Sequence, residues 1–222
     1  MASLHPVFHP LEDQLADYAT GNMAEAPALV IATHLALCPA CRRQVADYEA
    51  LGGELLKDLP AEHVAADSLT GTLAKLDGAA AEPARPKAPA IVPAGAPLLP
   101  QPLRDYMSQA WTDRGTWRSV MPGLRTLKLK ASGAKVWMME LAAGRPIPHH
   151  GHRGQEMVLV LSGGYHDGET GYGPGDIQMS GPETIHQPIA DADGPCVCLV
   201  MVEAGIRPTS LLGRVVVSLF GY

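Results

Sequence analysis

The chain has no basic cluster: its 222 residues carry 17 Lys and Arg against 23 Asp and Glu, a formal net charge of −6. Contact with phosphates needs a basic face, so direct nucleic-acid binding is disfavoured. No apolar run approaches the roughly 20 residues of a membrane span, and the first residues lack a charged segment leading into an apolar one. A cytoplasmic protein with no membrane contact is expected. The sequence holds neither a Gly-rich phosphate loop nor an internal repeat. Cysteine is scarce and falls in two close pairs, Cys38 with Cys41 and Cys196 with Cys198. Such spacing is a poor disulfide framework and suits a reducing compartment with metal or redox use.

The densest chemistry is the stretch His149 to Glu156, with His186 downstream. Alternate residues of a strand share a face, so His150 and His152 can point together into a β-barrel interior, with Glu156 joining from the next turn or strand start. Three imidazoles and a carboxylate, His186 being the last donor, form a borderline-hard set suited to zinc, iron, manganese or nickel. The spacing Gly144, His150, His152, Glu156, Gly163 resembles the first cupin motif at every position. A second motif is looser: Gly175 and His186 stand where expected, while Gly181, Glu183 and Ala190 replace the usual Pro, Gly and Asn. His149 breaks the alternation and is expected beside the ligand set or exposed. His166, next to Asp167 and Gly168, reads as a hairpin turn residue.

In chain order, Leu11, Leu15 and Tyr18 at helical spacing predict a short amphipathic helix closed by Thr20-Gly21-Asn22. A second helix is expected from about Ala24 to Leu37, with Pro27 tolerated only in its first turn. Pro39 then opens a third, running to about Asp58, and a fourth is expected from about Ala61 to Leu76. From Gly78 to Pro102 the composition turns to Ala and Pro, which predicts an extended linker of residues 78–102 that leaves the flanking domains free to stay apart. Beyond it, Trp111 and the apolar segments 126–129, 135–139, 157–161, 195–202 and 214–220 read as strands separated by Gly- and Pro-bearing turns. The pattern predicts an α+β protein of two domains, with helices in residues 1–77 and a β-barrel or jelly roll in 103–222.

Within the helical part, His34-x-x-x-Cys38-x-x-Cys41 places three donors at one helix end and the next helix start. A thiolate pair with an imidazole is soft enough to prefer zinc. The fourth ligand is His9 or His5; a redox pair without metal is the other reading, and it leaves His34 unexplained. Together these residues resemble zinc-dependent anti-sigma factors, and the added C-terminal cupin resembles the ChrR type. The quoted stretches are 32–38, 150–154 and Gly175-Asp176-Ile177. The resemblance implies zinc held by His9, His34, Cys38 and Cys41, and zinc also held by His150, His152, Glu156 and His186, where the donor set by itself suits zinc or another divalent transition metal. It also implies no catalysis, sequestration of an extracytoplasmic-function sigma factor by the helices, and release under singlet oxygen or related oxidants.

Charge distribution fits such a partner. Residues 1–77 carry four basic and eleven acidic residues, a net of −7, which steers a domain towards a basic protein and away from DNA. A second class of function is compatible with the same residues: a cupin dioxygenase or isomerase whose metal keeps open positions for substrate. Cys196 and Cys198 alternate along a strand and read as small buried hydrophobes or as a redox pair.

Overall fold

The protein is described by a computed structural model for residues 6–77, 99–107 and 117–209. The helices are α1 (Glu12–Ala19), α2 (Glu25–Leu37), α3 (Pro39–Lys57), α4 (Ser68–Asp77) and α5 (Gln101–Met107). Local sequence explains their ends. Gly21, at φ 72°, stops the chain after α1, since only glycine takes a left-handed backbone without strain. Pro27 sits in the first turn of α2, and Pro39 is the first residue of α3. Between these two helices stands Cys38, whose Sγ accepts the Cys41 N–H at 3.5 Å. The expected fourth helix is shorter than its apolar pattern, for residues 61–67 are not helical. Its leucines remain exposed, so no tertiary packing draws the first turns into the helix.

The strands are β1 (Arg118–Met121), β2 (Leu124–Leu129), β3 (Lys135–Leu141), β4 (His150–His152), β5 (Glu156–Ser162), β6 (Tyr165–Asp167), β7 (Thr170–Tyr172), β8 (Ile177–Ser180), β9 (Ile185–His186), β10 (Ile189–Ala190), β11 (Cys196–Val202) and β12 (Ile206–Pro208). They form a six-stranded sheet ordered β1-β2-β3-β11-β5-β8 and two three-stranded sheets, β10-β6-β7 and β12-β4-β9. Every pairing is antiparallel. The sheets make a cupin-like β-sandwich rather than a closed barrel. The expected strands at Trp111 and 214–220 lie outside the described residues, as does linker segment 78–98.

Strand β11 is buried along its whole length. One face, Cys196, Cys198, Val200 and Val202, belongs to the interior of the sandwich. The other, Val197, Leu199 and Met201, belongs to the core that also holds α2. Helix α2 explains this sharing. It is apolar all round, with Leu29, Val30, Ile31 and Leu35 buried, and a helix without a polar face must be covered on several sides. It packs against α1, α3 and α5, and also against β5 and β11. Each of those four side chains contributes about 1.5–3 kcal/mol when fully buried. The helices and the sandwich therefore share one core, although the Ala/Pro composition of the connecting segment left them free to separate. The end of that segment joins the same packing through Leu99, followed by Leu103 and Met107 of α5.

The β5–β6 turn makes a local demand. Gly163 has φ +69°, and a Cβ there would lie 2.2 Å from the Pro195 carbonyl oxygen. Gly163→Ala is expected to destabilise the protein by roughly 2–5 kcal/mol through backbone strain and overpacking, measured as a lower urea midpoint at unchanged m-value.

Candidate metal centres

The first centre gathers residues from four places in the chain. His34 comes from the last turn of α2, Cys38 from the junction, Cys41 from the first turn of α3, and His9 from the arm before α1. Their ligand atoms all lie within 4.8 Å of one another. His34 Nε2 is 3.3 Å from Cys41 Sγ, and His9 Nδ1 is 3.5 Å from Cys38 Sγ and 3.4 Å from Cys41 Sγ. A tetrahedron with zinc–sulfur bonds of about 2.3 Å and zinc–nitrogen bonds of about 2.0 Å has S–N edges of about 3.5 Å. The donors fit. His34, Cys38 and Cys41 are buried and His9 is exposed. His5 lies outside the described residues.

Tautomer follows from geometry. His34 Nδ1 lies 2.8 Å from the Gly175 carbonyl oxygen, which can only accept, so the ring proton sits on Nδ1 and Nε2 faces the thiols bare. Burial pushes the His34 pKa down to about 4. It also pushes the Cys41 thiol up to about 12, with the Cys38 hydrogen bond acting in the same direction. Two adjacent buried thiolates repel unless a cation neutralises them.

The second centre lies in the sandwich. His150 and His152 alternate on β4, Glu156 begins β5, and His186 on β9 pairs directly with His150. All four are buried, and their ligand atoms fall within 4.8 Å of one another. His186 Nε2 is 3.0 Å from His152 Nε2 and 3.1 Å from His150 Nε2. Both Nδ1 atoms are spoken for: His150 Nδ1 donates to the Pro148 carbonyl at 2.9 Å and His186 Nδ1 to Asp167 Oδ2 at 2.8 Å. With Nδ1 so engaged, the His150 and His186 Nε2 atoms face each other at 3.1 Å, as two ligands of one cation would. Among the described residues, His152 Nδ1 is one of two buried side-chain polar atoms without a partner. Burial lowers His150 to about 4 and His152 to about 3. It raises Glu156 to about 8, with Asp167 adding to the shift.

These shifts set an acid dependence for chelator-treated protein. His34, His150 and His152 take up protons in the unfolded chain below about pH 6.5 but not in the fold, so their contribution to stability is lost as pH falls towards 4. Glu156 acts oppositely, its stabilising protonation being lost as pH rises from 4.5 to about 8. Three groups outweigh one in the acid window. The metal-free protein should melt at a lower temperature at pH 5 than at pH 7; an equal or higher melting temperature at pH 5 contradicts this.

Beside the second centre is a cavity of about 110 Å³, lined by Val120, Leu124, Trp137, Tyr165, Cys196 and Cys198 and reaching His150 and Glu156. The two thiols are unoxidised and buried, with Sγ atoms 3.4 Å apart. His149 is exposed. His166 precedes the β6–β7 turn, paired with Gly171 and 3.4 Å from Asp191. Sequence reasoning passed over Asp167 and Gln178. Asp167 accepts from His186, from Gln187 N–H and from Gln178 Nε2, whose own Oε1 accepts from Tyr165. The signal available was the frequent pairing of a metal-ligating His with a carboxylate, but no spacing rule locates that carboxylate.

Fold and donors define a class: a helical Cys/His unit packed on a cupin that has its own His/Glu cluster. A family profile described as the ChrR cupin-like domain matches residues 108–205. Over 213 residues the chain is 33% identical to the anti-sigma-E factor ChrR of Cereibacter sphaeroides, covering 96% of this chain and 97% of that protein. The crystal structure of Rhodobacter sphaeroides SigE in complex with the anti-sigma ChrR matches with a TM-score of 0.74 and 33% identity, covering 88% of this chain and 98% of the matched one. A cupin-like protein of unknown function from Ralstonia eutropha JMP134 is more remote, at 20% identity and TM-score 0.37 over 42% of this chain and 71% of its own. This chain belongs to the ChrR family of anti-sigma factors. Among the described residues no helix is long and apolar enough to cross a membrane.

Proposed function

We propose that this protein is a cytoplasmic, zinc-dependent anti-sigma factor without catalytic activity of its own, in which residues 1–77 sequester an extracytoplasmic-function sigma factor and the cupin of residues 103–222 receives the releasing signal. One observation carries the sequestration: apolar side chains left uncovered on the acidic helices. Leu51 and Leu55 of α3 and Leu69, Leu73 and Leu76 of α4 are each at least half exposed, and within each helix the spacing places them on one face. Glu54, Asp58, Glu62 and Asp67 lie among them in sequence. Exposed apolar side chains among charged ones are the anatomy of a protein interface, and the net −7 of residues 1–77 suits a basic DNA-binding partner. The formal net charge of −6 disfavours direct nucleic-acid contact.

His9, His34, Cys38 and Cys41 hold zinc in this reading; bound there, the metal joins the arm, α2 and α3 by neutralising two thiolates. His150, His152, Glu156 and His186 hold zinc or another divalent transition metal. The cavity beside them gives a small oxidant or its product a route to the cluster, so singlet oxygen or an organic peroxide is the proposed signal. Likeness to ChrR along both parts of the chain favours regulation over a cupin enzyme. The test replaces Glu156 or His186 by alanine and measures sigma-dependent transcription with and without oxidant. Inhibition should persist in unstressed cells while induction falls at least tenfold; full induction in both variants would move sensing away from the cupin.

A further inference from the structure

The two centres are joined by a specific part of the sandwich. The arm carrying His9 lies against the β7–β8 turn, residues 173–176. Asp176 is buried, 6% exposed; its Oδ1 accepts the N–H groups of Val7 at 2.6 Å and Phe8 at 2.9 Å, and its Oδ2 accepts Gly173 N–H at 2.8 Å. The Ile177 N–H returns a bond to the Phe8 carbonyl at 3.2 Å, and the Phe8 ring lies 4.7 Å from that of Tyr172. Residues 7 and 8 are thus fixed immediately before His9. Gly175, in the same turn, accepts the His34 Nδ1 proton. It has φ +91°, and a Cβ there would meet Pro6 Cγ at 2.6 Å, so the arm passes at a distance that glycine alone permits. One four-residue turn therefore orients both imidazoles of the N-terminal centre. It also leads directly into β8, where Gln178 donates to Asp167 Oδ2 at 2.8 Å and that oxygen accepts from His186 at 2.8 Å.

We propose that Asp176 and the Gly175 carbonyl are positioning groups for His9 and His34, and that β8, through Gln178 and Asp167, couples this turn to His186, so that occupancy of the His/Glu centre tightens the Cys/His centre. The inference rests on the metal-binding reading above. Its physical basis is that a ring held by a second partner loses less freedom on ligation. A metal that fixed His186 would also fix Asp167, Gln178 and the strand that begins at the turn. The coupling is reciprocal by linkage.

Cobalt titration of the full chain tests it, because a thiolate-to-cobalt absorption band reports Cys38 and Cys41 while the His/Glu centre has no sulfur ligand. Asp176→Ala should weaken cobalt binding at the thiolate centre about 10–100-fold while the circular dichroism spectrum stays that of the folded protein; should that variant not fold, the isosteric Asp176→Asn takes its place with the same expected direction. His152→Ala, which disables the other centre, should loosen the thiolate centre about fivefold or more, and Gln178→Ala should reproduce the loosening with every ligand in place. Unchanged affinity in a folded Asp176 variant overturns the positioning role. Unchanged affinity in both His152→Ala and Gln178→Ala overturns the coupling. A wild-type protein without the band overturns the metal reading itself, a result distinct from either.

Discussion

Cys41→Ser in the full-length protein is expected to reduce bound metal from two ions per chain to one and to abolish sigma-factor binding. A structural zinc site carries on the order of 10 kcal/mol of metal-linked folding free energy, and a four-donor site that loses a thiolate forfeits a large share of it. The loss should be local. Helix α2 keeps its cover because Leu29, Val30, Ile31 and Leu35 are packed in a core shared with the sheet, the arm before His9 stays held by Asp176, and α1 keeps its packing on α3, whereas His9 meets the α2–α3 junction chiefly through the donors. Hydrogen exchange should accordingly rise around His9 and in the first turn of α3 while α1, α2 and β11 remain protected. Metal analysis and a binding titration check the remainder. Sigma affinity within threefold of wild type in a Cys41→Ser protein holding one ion would show that the centre does not shape the binding surface.

The second large effect is expected at the uncovered leucines. Replacing Leu55, Leu69 and Leu73 together by aspartate should weaken sigma binding by at least 10³-fold, since one buried hot-spot side chain is worth about 2 kcal/mol or more, roughly 30-fold. The same replacement should change the thermal midpoint little, because these side chains are 64%, 70% and 51% exposed and exposed substitutions usually stay within about 0.5 kcal/mol. The combination separates an interface from a core. A folded triple variant that still inhibits would place the partner on another face. A variant that unfolds would mean that the leucines close on the protein itself.

The two clusters of donor residues were legible in sequence because each rests on a short-range rule. His150 and His152 share a strand face by alternation, and Cys38 and Cys41 span a helix start fixed by Pro39, so local geometry alone brings those pairs together. His186 was readable from its place after Gly175 in the second motif, despite the departures at Gly181, Glu183 and Ala190. His9 was favoured by its place just before the first helix and by the resemblance, with His5 the competitor that spacing alone did not exclude. Helix α2 also carried an unread signal: Glu25 is its one acidic or Lys/Arg residue, and an all-apolar helix requires cover on more than one side. The Ala/Pro composition of 78–102 argued for separable units, whereas the α2 composition argued for a shared core. Residues 61–67 show the opposite limit, an apolar pattern that stays unwound without a surface to bury it.

What the sequence determined by itself is therefore the chemistry: two donor sets, the helix boundaries set by Pro27, Pro39 and Gly21, and the strands around the histidines. Periodicity and backbone restriction act over a few residues and need no knowledge of the rest of the chain. Only the tertiary structure decided that α2 lies on β5 and β11, that Gly175 and Asp176 orient the arm and His34, and that Asp167 supports His186. Those contacts join residues 19 to 169 positions apart. They arise because buried apolar faces and unpaired polar groups are satisfied by whatever the folded chain brings beside them.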